Sequence, residues 1–169
     1  DKGIYIYSSS DNNNIINCDS YNNTNCGINI RGPSNNIIDC DVYNNTNQGI
    51  FIYKASDNTL IGNDIYNNVH DFSVSGSEID HYTQYIDPTN TINGKRIYYI
   101  VKQSGITLDE NNNFGYLALI SCTNIIAKNS DVYGMLLINT TDSTISNVDS
   151  HNSGTGIYIW MASNNNIMD

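Results

Sequence analysis

Apolar and polar residues alternate in short runs along this chain. Gly3-Ile4-Tyr5-Ile6-Tyr7, Gly27-Ile28-Asn29-Ile30-Arg31 and Gly49-Ile50-Phe51-Ile52-Tyr53 carry isoleucine at every second position. Alternation over so few positions predicts short, half-buried strands. A second β-branched run follows each: Ile15-Ile16-Asn17-Cys18-Asp19-Ser20-Tyr21-Asn22-Asn23, Ile37-Ile38-Asp39-Cys40-Asp41-Val42-Tyr43-Asn44-Asn45 and Leu60-Ile61-Gly62-Asn63-Asp64-Ile65-Tyr66-Asn67-Asn68. Glycines 3, 27 and 49 are 24 and 22 residues apart. Gly134 and Gly156, again 22 apart, restart the register with Gly134-Met135-Leu136-Leu137-Ile138 and Gly156-Ile157-Tyr158-Ile159-Trp160.

Short strands repeating about every 22 residues cannot bury their own apolar faces. Stacked coil on coil they can, each pairing in parallel with the next at about 4.8 Å. The pattern therefore predicts an all-β fold, a single-stranded parallel β-helix with coils of about 22 residues. Ile4, Ile28 and Ile50 would form one inward ladder, and Ile6, Ile30 and Ile52 another. Residues 1–169 read as one solenoid domain or fragment. Regular coils occupy 1–74 and 114–169, and 75–113 reads as an irregular lateral excursion. The chain starts abruptly and Asn164-Asn165-Asn166-Ile167-Met168-Asp169 stops partway through a unit. The expectation is that further solenoid coils, or identical subunits end to end, continue the stack, since open strand edges template more strands.

Composition agrees with this reading. Thirty of 169 residues are Asn and 26 are Ile, against four Ala and two Glu, which is poor helical material. Asn suits the turns because it tolerates left-handed backbone and its amide can bond to the coils above and below. The net charge of −10 has no basic stripe beyond the pair Lys95-Arg96, which argues against nucleic acid. No apolar run reaches the roughly 20 residues of a membrane helix, so membrane insertion is not expected.

The repeats Gly-Ile-x-Ile, then Ser-x-x-Asn and Asn-Asn, resemble those of the NosD-like right-handed parallel β-helix family. Thr89-Asn90-Thr91-Ile92-Asn93-Gly94-Lys95-Arg96-Ile97-Tyr98-Tyr99 is similar to that family's Asn-Thr-x-Asn-Gly-Lys-Pro-x-Tyr-Tyr element, with Arg96 where Pro is usual. Gly115-Tyr116-Leu117-Ala118-Leu119-Ile120-Ser121-Cys122-Thr123-Asn124-Ile125 resembles the coil after it. The resemblance implies a right-handed β-helix. It leaves activity open, because such domains occur in periplasmic copper-associated proteins, carbohydrate-active enzymes and cell-surface proteins.

Two columns could carry chemistry. Asp19, Asp41 and Asp64 occupy equivalent positions, with Asp131 and Asp149 as their expected continuation. Carboxylates about 4.8 Å apart repel unless a cation intervenes, so the column is either a Ca²⁺ ladder or a solvated polar row. Tyr21, Tyr43 and Tyr66, with Tyr133 and His151 in related places, form an aromatic column. On the outer side of the opening strands lie Tyr5, Tyr7, Phe51, Tyr53, Tyr158 and Trp160, interleaved with Asn29 and Arg31. Exposed rings beside amides suit a sugar-binding face; the alternative is cross-strand stacking alone. Cys18 and Cys40 share a column one coil apart and are expected as buried stacked thiols.

No Cys-x-x-Cys or His-x-x-x-His pair, phosphate loop, Gly-x-Ser-x-Gly or Ser-His-Asp order is present, so no catalytic residue is assigned and no preformed copper or zinc site is expected. Asn22, Asn44 and Asn139 begin sequons, which if glycosylated imply an extracellular surface. The expected function is a non-enzymatic structural or adhesive segment of an extracellular cell-surface protein or filament, with surface glycans as a possible ligand. The alternatives are a carbohydrate-active enzyme or glycan-binding module, then a periplasmic copper-handling module.

Overall fold

The computed structural model describes residues 1–151 and 154–169. The first coil comprises β1 (Ile4–Ile6), β2 (Asn14–Ile16) and β3 (Asp19–Tyr21). The second comprises β4 (Ile28–Ile30), β5 (Asn36–Ile38) and β6 (Asp41–Tyr43), and the third β7 (Gln48–Tyr53), β8 (Thr59–Ile61) and β9 (Asp64–Tyr66). A fourth coil follows as β10 (His70–Ser75), β11 (Tyr85–Ile86) and β12 (Thr91–Ile92). Its strands pair in parallel with the third coil. The result is a β-solenoid with sheet A (β1-β4-β7-β10), sheet B (β2-β5-β8-β11) and the first four strands of sheet C (β3, β6, β9, β12). The isoleucine ladders form as the alternation requires: Ile4, Ile28 and Ile50 are register partners, as are Ile6, Ile30 and Ile52.

The segment 75–113 does not simply leave the stack. Only its first part, with a 3-10 turn at Ile79–Tyr82, departs laterally. β11 and β12 complete the fourth coil, and β13 (Lys95–Val101) then runs antiparallel to β12. The reversal occurs at Asn93-Gly94, both with positive φ (47° and 78°), the backbone that a tight two-residue hairpin needs. From β13 the coils wind on with strands in the opposite direction. They are β14 (Thr107–Leu108), β15 (Phe114–Ile120), β16 (Ile126–Val132), β17 (Met135–Ile138), β18 (Thr144–Ser150), β19 (Ile157–Trp160) and β20 (Asn166–Met168). β13, β15, β17 and β19 extend sheet C, and β14, β16, β18 and β20 form sheet D.

The interior changes sides with the direction. Ile97, Tyr99, Tyr116, Ala118, Ile120, Leu136 and Ile138 join the core of the first four coils. Their neighbours Phe114, Leu117, Leu119, Met135 and Leu137 pack with Ala127, Val132 and Ile145 of sheet D in a second core. Reversing the strands while moving the interior across the sheet leaves the hand of winding the same in both stacks, as the single-handedness of parallel crossovers requires. It also buries β15 on both faces: all seven of its residues are buried.

Three corners of the first stack are built from ladders of polar side chains. Asn13, Asn35, Asn58 and Gln84 form one, each backbone N–H donating to the amide oxygen of the next rung at 2.9 Å. Cys40, Asn63 and Asn90 form the second in the same manner. The third runs Asn23, Asn45, Asn68 and ends on Asp71, whose carboxylate accepts from the Asn68 backbone and amide. Gly27 and Gly49 stand against this third ladder, where a Cβ would lie 2.7 Å from the amide nitrogens of Asn45 and Asn68 respectively.

Candidate functional site

The outer face of sheet A is the most organised surface that carries predicted residues. Tyr5, Asn29, Phe51 and Ser73 are consecutive register partners on β1, β4, β7 and β10. Two residues further along the chain come Tyr7 and Arg31, just past the ends of β1 and β4, and Tyr53 and Ser75, the last residues of β7 and β10. Tyr5 and Tyr7 meet edge to face at 5.7 Å, and Phe51 and Tyr53 are tilted at 5.6 Å. The Arg31 guanidinium lies between the columns, 4.9 Å from the Tyr53 ring and 5.7 Å from the Tyr5 ring. Two residues absent from the sequence-based expectation complete the face. Lys2 Nζ sits 3.7 Å over Tyr5, and Lys54 Nζ is 5.4 Å from Tyr53. Their signal was available: each directly flanks an alternating aromatic run.

Tyr158 and Trp160 are not part of that face. They lie on β19 of sheet C, where Trp160 packs against the first core and meets the Tyr82 ring at 5.8 Å. Tyr158 instead shares a cleft of about 330 Å³ with Phe51. The cleft runs along β10, the last strand of sheet A, and is walled by His70, Tyr82, Tyr116 and Leu136. One end of the aromatic face thus opens into a concavity between the two stacks, which the repeat pattern could not reveal because the reversal creates it.

The acidic column forms in part. Asp19, Asp41 and Asp64 are register partners on the exposed side of sheet C. Partial burial, then the charges of Asp19 and Asp64, push the Asp41 carboxyl above its usual range. The column does not continue to Asp131 and Asp149, because Thr91 pairs with Asp64 on the next rung. Asp131 and Asp149 pair with each other on sheet D. Asp131 also forms an ion pair with Lys95 at 3.2 Å and touches His151. Tyr21, Tyr43 and Tyr66 stack with centroids 5.0 Å apart and nearly parallel planes. Tyr133 and His151 form a separate edge-to-face pair elsewhere.

All four cysteines are free. Cys40 is buried and Cys18 half-buried, each thiol donating to a main-chain carbonyl two residues back at 3.3 Å. Burial raises the Cys40 and Cys122 thiols above their usual range.

A family model described as "Periplasmic copper-binding protein (NosD)" matches residues 1–97, the first stack and its reversal into β13. The chain belongs to the NosD family. No curated protein and no solved structure matches it significantly. Copper would require soft donors, thiolate, thioether or imidazole, converging on one point. Among the described residues no group of three or more His, Cys, Asp or Glu side chains is placed to hold a metal ion. His70 is on β10, His81 in the 3-10 turn and His151 after β18, while the Cys40 and Cys122 thiols are held protonated by burial. No helix among the described residues is long and apolar enough to cross a membrane.

Proposed function

We propose that this chain is a non-catalytic β-helix module of an extracytoplasmic protein, structural and adhesive, that holds glycans on the outer face of sheet A. The observation that carries the reading is the registered column Tyr5-Asn29-Phe51 on consecutive rungs, with Tyr7, Arg31 and Tyr53 each two residues further along the chain. Rings offer apolar platforms to the C–H faces of sugars, and amide and guanidinium groups between them supply directional hydrogen bonds. Because sheet pairing fixes these side chains in advance, little ordering entropy opposes binding. The family's periplasmic description supports a location outside the cytoplasm.

A glycan array with the wild-type chain and the Tyr53→Ala and Tyr7→Ala variants tests this. Binding that falls about tenfold or more in each variant is expected. Binding indifferent to both would reject the face. A depolymerisation screen with and without Ca²⁺ covers the rival class: turnover of any polysaccharide would replace adhesion with catalysis.

The family description favours a second reading, copper handling. One tight, stoichiometric cuprous site per chain in a titration would establish it despite the scattered donors.

A further inference from the structure

We infer that the glycan held on this face is anionic, a chain bearing carboxylate or sulfate groups, and that Arg31 reads its charge. This rests on the reading of sheet A as a glycan face and adds the ligand's chemical class. Charge is unevenly placed in this protein. The chain carries −10 overall, yet three of its seven Lys and Arg residues, Lys2, Arg31 and Lys54, stand against the rings of Tyr5 and Tyr53. The Tyr53 and Tyr5 rings lie 4.9 Å and 5.7 Å from the guanidinium carbon, within cation–π range of it.

Among the described residues no hydrogen-bond acceptor or carboxylate pairs with the Arg31 guanidinium. Among the described residues the Lys–carboxylate ion pair is Lys95 with Asp131, Asp131 also touches His151, and neither contact involves Lys2, Arg31 or Lys54. Arg31 Nε is buried without a hydrogen bond. Beside it on β4, Asn29 is only 2% exposed although it lies in the outward column. Its amide donates to the Cys26 thiol at 3.6 Å, and its Oδ1 has no partner. Buried polar groups are nearly always paired, so the unpartnered Arg31 Nε and Asn29 Oδ1 leave this part of the face polar and unsatisfied, with both atoms shielded from direct ligand contact. A guanidinium takes an oxyanion in a charge-assisted, often bidentate contact, and three cations among aromatic rings on an acidic chain suit a sugar that carries one.

The test is calorimetric binding to the full chain with matched ligand pairs at two salt concentrations. Alginate hexamer is compared with its carboxyl-reduced form, and κ-carrageenan hexamer with its desulfated form, so that the two arms separate carboxylate from sulfate. An oligodeoxythymidylate serves as the non-glycan polyanion, and circular dichroism verifies that every variant is folded. At least one anionic glycan is expected to bind about tenfold tighter than its neutral partner, with a preference that weakens in salt. Arg31→Gln should erase that preference, and Lys95→Gln should preserve it. Equal binding of both members of each pair would overturn the inference while leaving the glycan face standing. A preference that survives Arg31→Gln, or that Lys95→Gln lowers as much, would also overturn it, as would tighter binding of the oligonucleotide. No glycan binding by the folded wild type would remove both readings together.

Discussion

Asn45 illustrates how one residue type comes to dominate this chain. It is 2% exposed, and its amide oxygen accepts from the Asn23 backbone and side chain while its nitrogen donates to Asn68 and the Ser20 carbonyl. Asn36 has the same chemistry but a single amide contact with Asn14 at the surface. Repetition in the sequence predicts Asn-rich turns, yet it cannot separate these two residues, because burial at a corner depends on where the coil bends. Asn45→Ala leaves several buried groups unpaired and should cost about 2–4 kcal/mol, at roughly 1–3 kcal/mol for each group left without a partner. Asn36→Ala should stay within about 0.5 kcal/mol. Urea denaturation of the two variants measures the difference, and equal losses would show that the ladder is not the stabilising element. Asp41 gives the opposite sign. Its carboxyl holds a proton more tightly when folded, so it weakens the native state above its folded pKa, and that penalty fades as pH falls through it. Asp41→Asn should therefore melt higher than wild type at pH 7, with the two converging as pH drops towards the ordinary aspartate value of about 3.9. A wild type that loses more stability than Asp41→Asn on acidification from pH 6 to pH 4.5 would contradict this.

At the scale of elements, the opening strands were legible and the reversal was not. β1 and β7 alternate buried with more exposed residues because one face meets the core and the other faces out, while β4 keeps the alternation in sequence although all three of its residues are buried. Two signals of the change were nevertheless present. Asn93-Gly94 is the dipeptide most typical of a two-residue hairpin, and Phe114-Gly115-Tyr116-Leu117-Ala118-Leu119-Ile120 is an unbroken run rather than an alternating one, as a strand covered on both faces requires. Read as a repeat of the opening strand, Gly156-Ile157-Tyr158-Ile159-Trp160 placed Tyr158 and Trp160 on an open face, whereas the reversal turns Trp160 towards the first core. The two glycine roles also separate here. Gly27 is tight by contact: a Cβ would come within 2.5 Å of Val42 Cγ1 as well as against Asn45. Gly94 is restricted by backbone alone, with φ of 78° and nothing within 4 Å of a Cβ. Gly94→Ala should cost about 1–2 kcal/mol from left-handed backbone. Gly27→Ala should cost more, about 3 kcal/mol, because the over-packed Val42 and the corner ladder must both shift. Thermal unfolding of the pair ranks them, and the reverse order would show that the ladder yields easily.

Solenoids commonly behave as strings of units coupled only to their neighbours, so a long one need not unfold in a single step. This molecule has a different connectivity. Its first core runs from Ile6 in the first coil to Ile138 on β17, and sheet C is continuous through the reversal. Three contacts tie the stacks directly. Phe72 on β10 meets Tyr116 on β15 edge to face at 5.1 Å. The Tyr99 hydroxyl on β13 donates to the Tyr82 carbonyl at 2.6 Å, and the Tyr82 ring touches Trp160. Removing the second stack would therefore uncover one whole side of the first core, and neither stack can open without exposing shared apolar surface. The expected behaviour is one calorimetric transition for residues 1–169, with van't Hoff and calorimetric enthalpies in agreement. Tyr116→Ala, the loss of a buried aromatic at the junction, should cost about 3–5 kcal/mol. That loss should register in both stacks. Hydrogen exchange at Ile28 and Ile50 in the first stack should speed up by the same factor as at Leu137 in the second, because both report the same global opening. Two resolved transitions, or faster exchange confined to the coils after β13, would show instead that the reversal joins two independent solenoids.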